Sequence, residues 1–170
     1  MTLDEKLNKY LDSHITRKKQ LFEWVTRKPK TILRKNIFED ASLDYSEIDN
    51  YIENSKEKNT FQTKLFNFID ERKLTDPEVY NKVGIDRRLF SKIRSNKDYH
   101  PSKETVILLG VSLKLTEDEI EDLLESASYS LPKNTTFDLI IRFCFKEKIY
   151  NLNQINEFLY EHNCKLLANN

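Results

Sequence analysis

The chain has 170 residues, of which 38 % are hydrophobic, 33 % charged and 11 % aromatic, a composition that favours a folded core and excludes a disordered chain. Basic and acidic side chains number 28 each, so the net charge by itself favours no polyanionic partner. No apolar run reaches the roughly 20 residues that span a bilayer, and the acidic start lacks the pattern of a secretory signal. We therefore expect no membrane partner and a cytoplasmic location.

Glycine and cysteine usage indicate the fold class. Only two glycines occur, which leaves few tight hairpins and favours helices joined by short turns. The two cysteines, Cys144 and Cys164, form no disulfide framework, as expected of a reducing compartment. Together with His162 they lack the CxxC spacing and the fourth ligand of a structural zinc site. We expect an all-α protein with no metal and no other cofactor.

The first third of the chain carries one long helical pattern and one short one. Apolar residues at helical spacing predict a helix over 3–26, and Pro29 is expected to end or interrupt this pattern. Eight basic residues fall within 17–35 against one acid, and they have two interpretations: a phosphate-contacting arm, or the solvated face of a helix. A short helix is predicted over 46–54 and a linker over 54–59.

From Thr60 onward the predicted helices are short and clearly delimited. Thr75-Asp76-Pro77-Glu78 supplies an N-cap, a first-turn proline and a capping glutamate, and Gly84 ends the helix that follows. Asp86 begins the next helix, which runs to about Ser95. Five further helices are indicated by capping or apolar residues at Phe61, Ser102, Thr116, Phe137 and Ile155.

These elements predict three parts: a helical N-terminal segment (1–58), a five-helix domain (60–130) and a C-terminal helix pair (131–170). The pair either packs on the domain or forms a two-fold dimer contact. Residues 59–115 hold eleven basic and seven acidic side chains, a net of +4, whereas residues 116–170 hold five and ten, a net of −5. A basic face is therefore expected in the middle third.

The predicted helix from Asp86 to Ser95 has two different faces. At about 100° per residue its apolar residues share one arc, and its basic and hydroxyl residues share the opposite one. A helix of this diameter fits the DNA major groove, and arginine can donate two parallel hydrogen bonds to guanine. An ordinary solvated face is the alternative. The outward residues are Arg87, Arg88, Ser91, Lys92 and Ser95.

The sequence over about 60–126 resembles the Cro/C1-type (XRE-like, lambda-repressor-like) helix-turn-helix family. The resemblance rests on Gly84, on the apolar spacing through 74–97, on Pro101-Ser102 and on Leu113. It implies a lambda-repressor-like domain and a bacterial or phage transcriptional regulator that binds double-stranded DNA, with a homodimer left open. Base contacts are expected at Arg87, Arg88, Ser91 and Lys92, and phosphate contacts at Lys82, Ser95, Lys97 and Tyr99.

Two positions depart from the pattern of this family. Asp76 stands where a phosphate-binding glutamine is common, and Tyr80 stands where a small alanine is usual. These departures support a second hypothesis, a protein-interaction adaptor or an antitoxin-like subunit of a bacterial stress or phage-defence system. A longer stretch, about 60–168, is also similar to a bacterial module sometimes attached to macro domains. No motif indicates an enzyme.

Overall fold

A computed structural model of the protein describes residues 3–10, 45–56, 60–96 and 99–167. Throughout this part of the chain the regular structure is helical, which confirms the all-α fold class, and no helix in it is long and apolar enough to cross a membrane. The helices are α1 (3–10), α2 (Tyr45–Lys56), α3 (Phe61–Glu71), α4 (Asp76–Lys82), α5 (Arg87–Ser95), α6 (Lys103–Leu113), α7 (Glu117–Ser126), α8 (Thr136–Lys146) and α9 (Leu152–Glu161).

Most of the predicted helix starts are confirmed. They could be predicted because capping residues mark them in the sequence. At the start of α4, the Glu78 carboxylate accepts hydrogen bonds from the Thr75 backbone N–H and hydroxyl, at 2.8 and 2.7 Å. At the start of α7, Thr116 and Glu119 form a reciprocal capping box. The predicted linker over 54–59 is wrong for residues 54–56, which are the last residues of α2. The basic stretch over 17–35 lies outside the described residues.

The middle helix of the bundle, α6, is the most buried. All eight residues from Val106 to Leu113 are buried, because α6 packs against α4 on one side and α7 on another. The Ser112 hydroxyl within this run donates to the Val79 carbonyl oxygen at 2.6 Å, which satisfies a buried polar group and joins α6 to α4. The position of α4, and through it of α5, is thereby fixed by the core.

The C-terminal helices and α1 belong to the same hydrophobic cluster as α3–α7. The Lys103 ammonium group of α6 donates to the buried Asp138 carboxylate of α8 at 2.6 Å. At the other end of the sequence, Leu7 of α1 is buried, and the Tyr10 ring lies 5.7 Å from the Phe143 ring of α8. Apolar residues more than 130 positions apart thus share one core.

Candidate nucleic-acid interface

Helices α4 and α5 are joined by a tight connection that turns at Gly84. This glycine has φ = 68°, a left-handed backbone conformation that is less strained for glycine than for residues with a Cβ atom. The Ile85 N–H donates to the Tyr80 carbonyl oxygen at 2.9 Å and closes the turn. Asp86 then caps α5, since its carboxylate accepts the Arg88 backbone N–H at 2.7 Å. The connection therefore fixes the direction in which α5 leaves α4.

The apolar face of α5 is anchored by buried and aromatic side chains. Phe90 and Ile93 are buried. The Phe90 ring lies 5.5 Å from the Tyr80 ring of α4 and 6.4 Å from the Phe66 ring of α3. Tyr80, the bulky departure from the expected alanine, is thus half-buried as a packing partner of α5. The opposite face of α5 is left to solvent.

The carboxyl end of α5 is held by a residue that the sequence did not indicate. The Gln62 side-chain amide of α3 donates to the carbonyl oxygens of Ile93 and Asn96, at 2.5 Å each. Carbonyl groups at a helix end lack intrahelical partners, so this amide satisfies two of them. No local motif marks Gln62, because its partners lie more than 30 residues away along the chain.

The four base-contact candidates share the exposed face of α5. Arg87, Arg88, Ser91 and Lys92 are all exposed. The guanidinium groups of Arg87 and Arg88 have no hydrogen bond or ion pair with the described part of the chain. The Lys92 ammonium group lies 4.6 Å from the centre of the Tyr99 ring, a cation–π contact that draws it toward the loop after α5. The face thus presents two arginines that have no partner among the described residues.

The phosphate-contact candidates are less uniform. The Lys82 ammonium group donates a hydrogen bond to the Ser112 carbonyl oxygen at 2.9 Å. Partial burial lowers the pKa of Lys82, and the nearby positive charge of Lys114 lowers it further. Lys82 is therefore directed at the backbone of α6. Ser95 is exposed at the end of α5, and Tyr99 is half-buried beneath the Lys92 side chain. Lys97 lies outside the described residues.

The departure at Asp76 has a partner that sequence patterns missed. Thr75 is the N-cap of α4, so the Asp76 carboxylate is not a cap, and it forms an ion pair with the Arg94 guanidinium of α5. The same guanidinium lies 4.1 Å from the centre of the Phe66 ring. The seven-residue spacing from Arg87 places Arg94 at the edge of the basic arc, which is the only local signal. A groove of about 450 Å³ is lined by Asp76, Pro77, Tyr80, Arg87, Phe90, Ser91 and Arg94.

Four of the six acidic residues of the helix α7 form ion pairs within the fold. Glu119 accepts two hydrogen bonds from the Arg72 guanidinium of α3, both at 2.8 Å. Asp122 pairs with Lys64 of α3, and Glu117 and Glu121 pair with Arg142 of α8. These four acids therefore join α7 to the neighbouring helices α3 and α8.

The cysteines show no feature of a reactive or metal-binding site. Both thiols are free, and burial raises the pKa of Cys144 to about 12. Burial also raises the pKa of Cys164. Among the described residues no three His, Cys, Asp or Glu side chains are grouped so that they could hold a metal ion.

Comparison with known proteins found no match of any kind: no family model fits the chain, and neither does a curated protein or a solved structure. The resemblance to the Cro/C1-type family therefore stays a prediction from the motif around Gly84 and α5.

Proposed function

We propose that the protein is a sequence-specific DNA-binding regulator in which α4 and α5 form a lambda-repressor-like helix-turn-helix, and α5 enters the major groove. One observation carries this proposal. Arg87, Arg88, Ser91 and Lys92 are exposed side by side on a nine-residue helix that contains no acidic residue. A helix end of this kind can bring three or four side chains to base edges at once.

The two arginines suit base readout because nothing in the described chain competes for them. A guanidinium group is planar and can donate two parallel hydrogen bonds to the O6 and N7 atoms of guanine. Within the part of the chain that the structure describes, no ion pair of Arg87 or Arg88 has to be broken before such a contact forms. Ser91 lies one turn further along α5, where its short hydroxyl allows the helix to approach the groove closely.

Anchoring of α5 at both ends supports the same proposal. Asp86 caps its first turn, Gln62 holds its last carbonyl groups, and Phe90 and Ile93 fix its inner face. Binding then requires ordering of the long side chains alone, and not of the helix. Groups held in advance by their supporting residues lose less entropy on association.

The charge distribution around α5 favours a polyanion. The helix carries four basic residues and no acid, while four of the six acids of α7 are paired with basic residues of α3 and α8. The Lys92 ammonium group faces the loop after α5, a position suited to a backbone phosphate. Binding through such a face is expected to weaken as salt rises, because neutralised phosphates release counterions.

The test is fluorescence anisotropy with a duplex from the upstream region of the protein's own gene, compared with a scrambled duplex. We expect Arg87→Ala and Arg88→Ala each to weaken binding to the preferred duplex by about 1–3 kcal/mol and to reduce the preference for it. Lys133→Ala is the matched control, since it removes an exposed positive charge from the loop between α7 and α8. We expect the control to change affinity for both duplexes equally and slightly.

Two outcomes would contradict the proposal. Wild-type affinity and preference in both arginine variants would show that α5 does not read the bases. Equal, weak binding of the wild-type protein to both duplexes would remove the regulator hypothesis, and would favour the adaptor or antitoxin-like alternative, which requires a protein partner. The affinity for both duplexes is measured as salt rises. A purely electrostatic contact weakens equally for the two duplexes, whereas a weak specific contact keeps a preference for one of them.

A further inference from the structure

We infer that Asp76 limits the affinity of this surface for DNA phosphates, because it holds Arg94 in an internal ion pair beside the basic face of α5. The inference rests on the proposed DNA-binding function and adds a residue that tunes it. Arg94 is the one basic residue of α5 whose guanidinium group is bound by a carboxylate of the described chain. The surface therefore presents less positive charge than its sequence implies.

The position of Arg94 makes it suitable for a phosphate contact. Arg94 lines the groove between α4 and α5, together with Arg87 and Ser91 of the basic face. Three donors of one helix thus border a groove of about 450 Å³, and the acidic group at this groove is Asp76. A phosphodiester oxygen that entered here would meet donors and a carboxylate together.

The ion pair is exposed enough to be exchanged. The side chains of Arg94 and Asp76 are 51 % and 29 % exposed, and ion pairs in such positions contribute little to stability. The stacking of Arg94 on Phe66 keeps the guanidinium at the groove whether or not the carboxylate is present. Removing the charge of Asp76 should therefore free Arg94 without displacing it.

The experiment compares the wild-type chain with Asp76→Asn, which keeps the shape of the side chain and removes its charge. We expect Asp76→Asn to bind both the preferred and the scrambled duplex about three- to tenfold more tightly at low salt. The slope of log affinity against log salt should steepen by about 1, as for one added phosphate contact. A merely structural role of Asp76 would not change this slope.

Three further variants isolate the cause. Glu157→Gln removes an equal charge from an exposed position of α9, and we expect it to leave the salt slope unchanged. Asp76→Glu keeps the charge and should bind like the wild type. In Asp76→Asn combined with Arg94→Gln, the gain in affinity and the added slope should both disappear. Circular dichroism and thermal unfolding establish that each variant is folded.

The inference is overturned if folded Asp76→Asn binds DNA no more tightly than Glu157→Gln, or if its gain survives the Arg94→Gln substitution. Failure of the proposed function is a separate result. It would appear as a wild-type protein that does not prefer its own duplex and is insensitive to Arg88→Ala, whatever Asp76→Asn does.

Discussion

Gly110 lies in the middle of α6, at the point where α7 and α8 approach that helix. A Cβ atom at this position would overlap Ile120 Cδ1 and would lie 3.2 Å from the Phe145 ring. Helix propensity alone would favour alanine over glycine by about 1 kcal/mol. The glycine is therefore explained by close packing between helices, and not by the geometry of a turn.

We expect Gly110→Ala to destabilise the protein by about 1–3 kcal/mol, since overpacking of the core outweighs the gain in helix propensity. Urea unfolding followed by circular dichroism measures this change. Ile120→Val removes the methyl group that would be overlapped, and alone it should cost about 0.5–1.5 kcal/mol. The double variant Gly110→Ala with Ile120→Val should lose less stability than the sum of the two single variants, or should be more stable than Ile120→Val alone. Strictly additive effects would contradict this explanation of the glycine.

At the scale of the helices, most ends are formed without glycine. In the described chain, five non-glycine residues adopt left-handed φ angles of 52–58°. Of the glycines, Gly84 has a left-handed φ angle. Each follows a helix and allows the next N–H groups to reach free carbonyl oxygens, as when the Ile149 N–H donates to the Cys144 carbonyl oxygen at 2.7 Å. The five are Lys73, Lys114, Ser128, Lys148 and Asn163.

Replacing one of these residues by glycine should therefore stabilise the fold. Lys148 follows α8, has φ = 57° and is exposed. A left-handed L-residue costs about 1–2 kcal/mol, and glycine's larger loss of backbone entropy offsets part of the gain, so we expect Lys148→Gly to stabilise by about 0.5–1 kcal/mol. Lys148→Ala, which keeps the strain, is the control in the same urea titration. Equal stability of the two variants would rule out backbone strain as the cause.

The helix starts were predictable from sequence because their determinants are local. Thr75 with Glu78, Asp86, and Thr116 with Glu119 lie within one turn of the helices that they begin. The two faces of α5 follow likewise from its own residue order. Contacts between helices have no such local signal. Hence the Gln62 cap, the Arg94–Asp76 pair and the pairing of the α7 acids were found only in the structure.

At the scale of the whole molecule, α1 packs on α8, from which it is separated by most of the chain. Besides the packing of Tyr10 on Phe143, the Lys6 ammonium group pairs with the Glu147 carboxylate at 3.4 Å. An N-terminal helix packed on α8 adds non-local contacts to a bundle whose other neighbours are mostly sequential. The stability of the described bundle should then depend on α1.

Leu3 and Leu7 test this dependence, because they lie four residues apart on α1 and differ in burial. Leu7 is 1 % exposed and Leu3 is 40 % exposed. We expect Leu7→Ala to lower the free energy of unfolding by about 2–5 kcal/mol, as for a large-to-small change in a packed core. Leu3→Ala should stay within about 0.5 kcal/mol of the wild type. Urea unfolding of both variants measures the difference. A Leu7→Ala variant as stable as Leu3→Ala would mean that α1 contributes no core packing, and that the bundle formed by α3–α9 is stable without it.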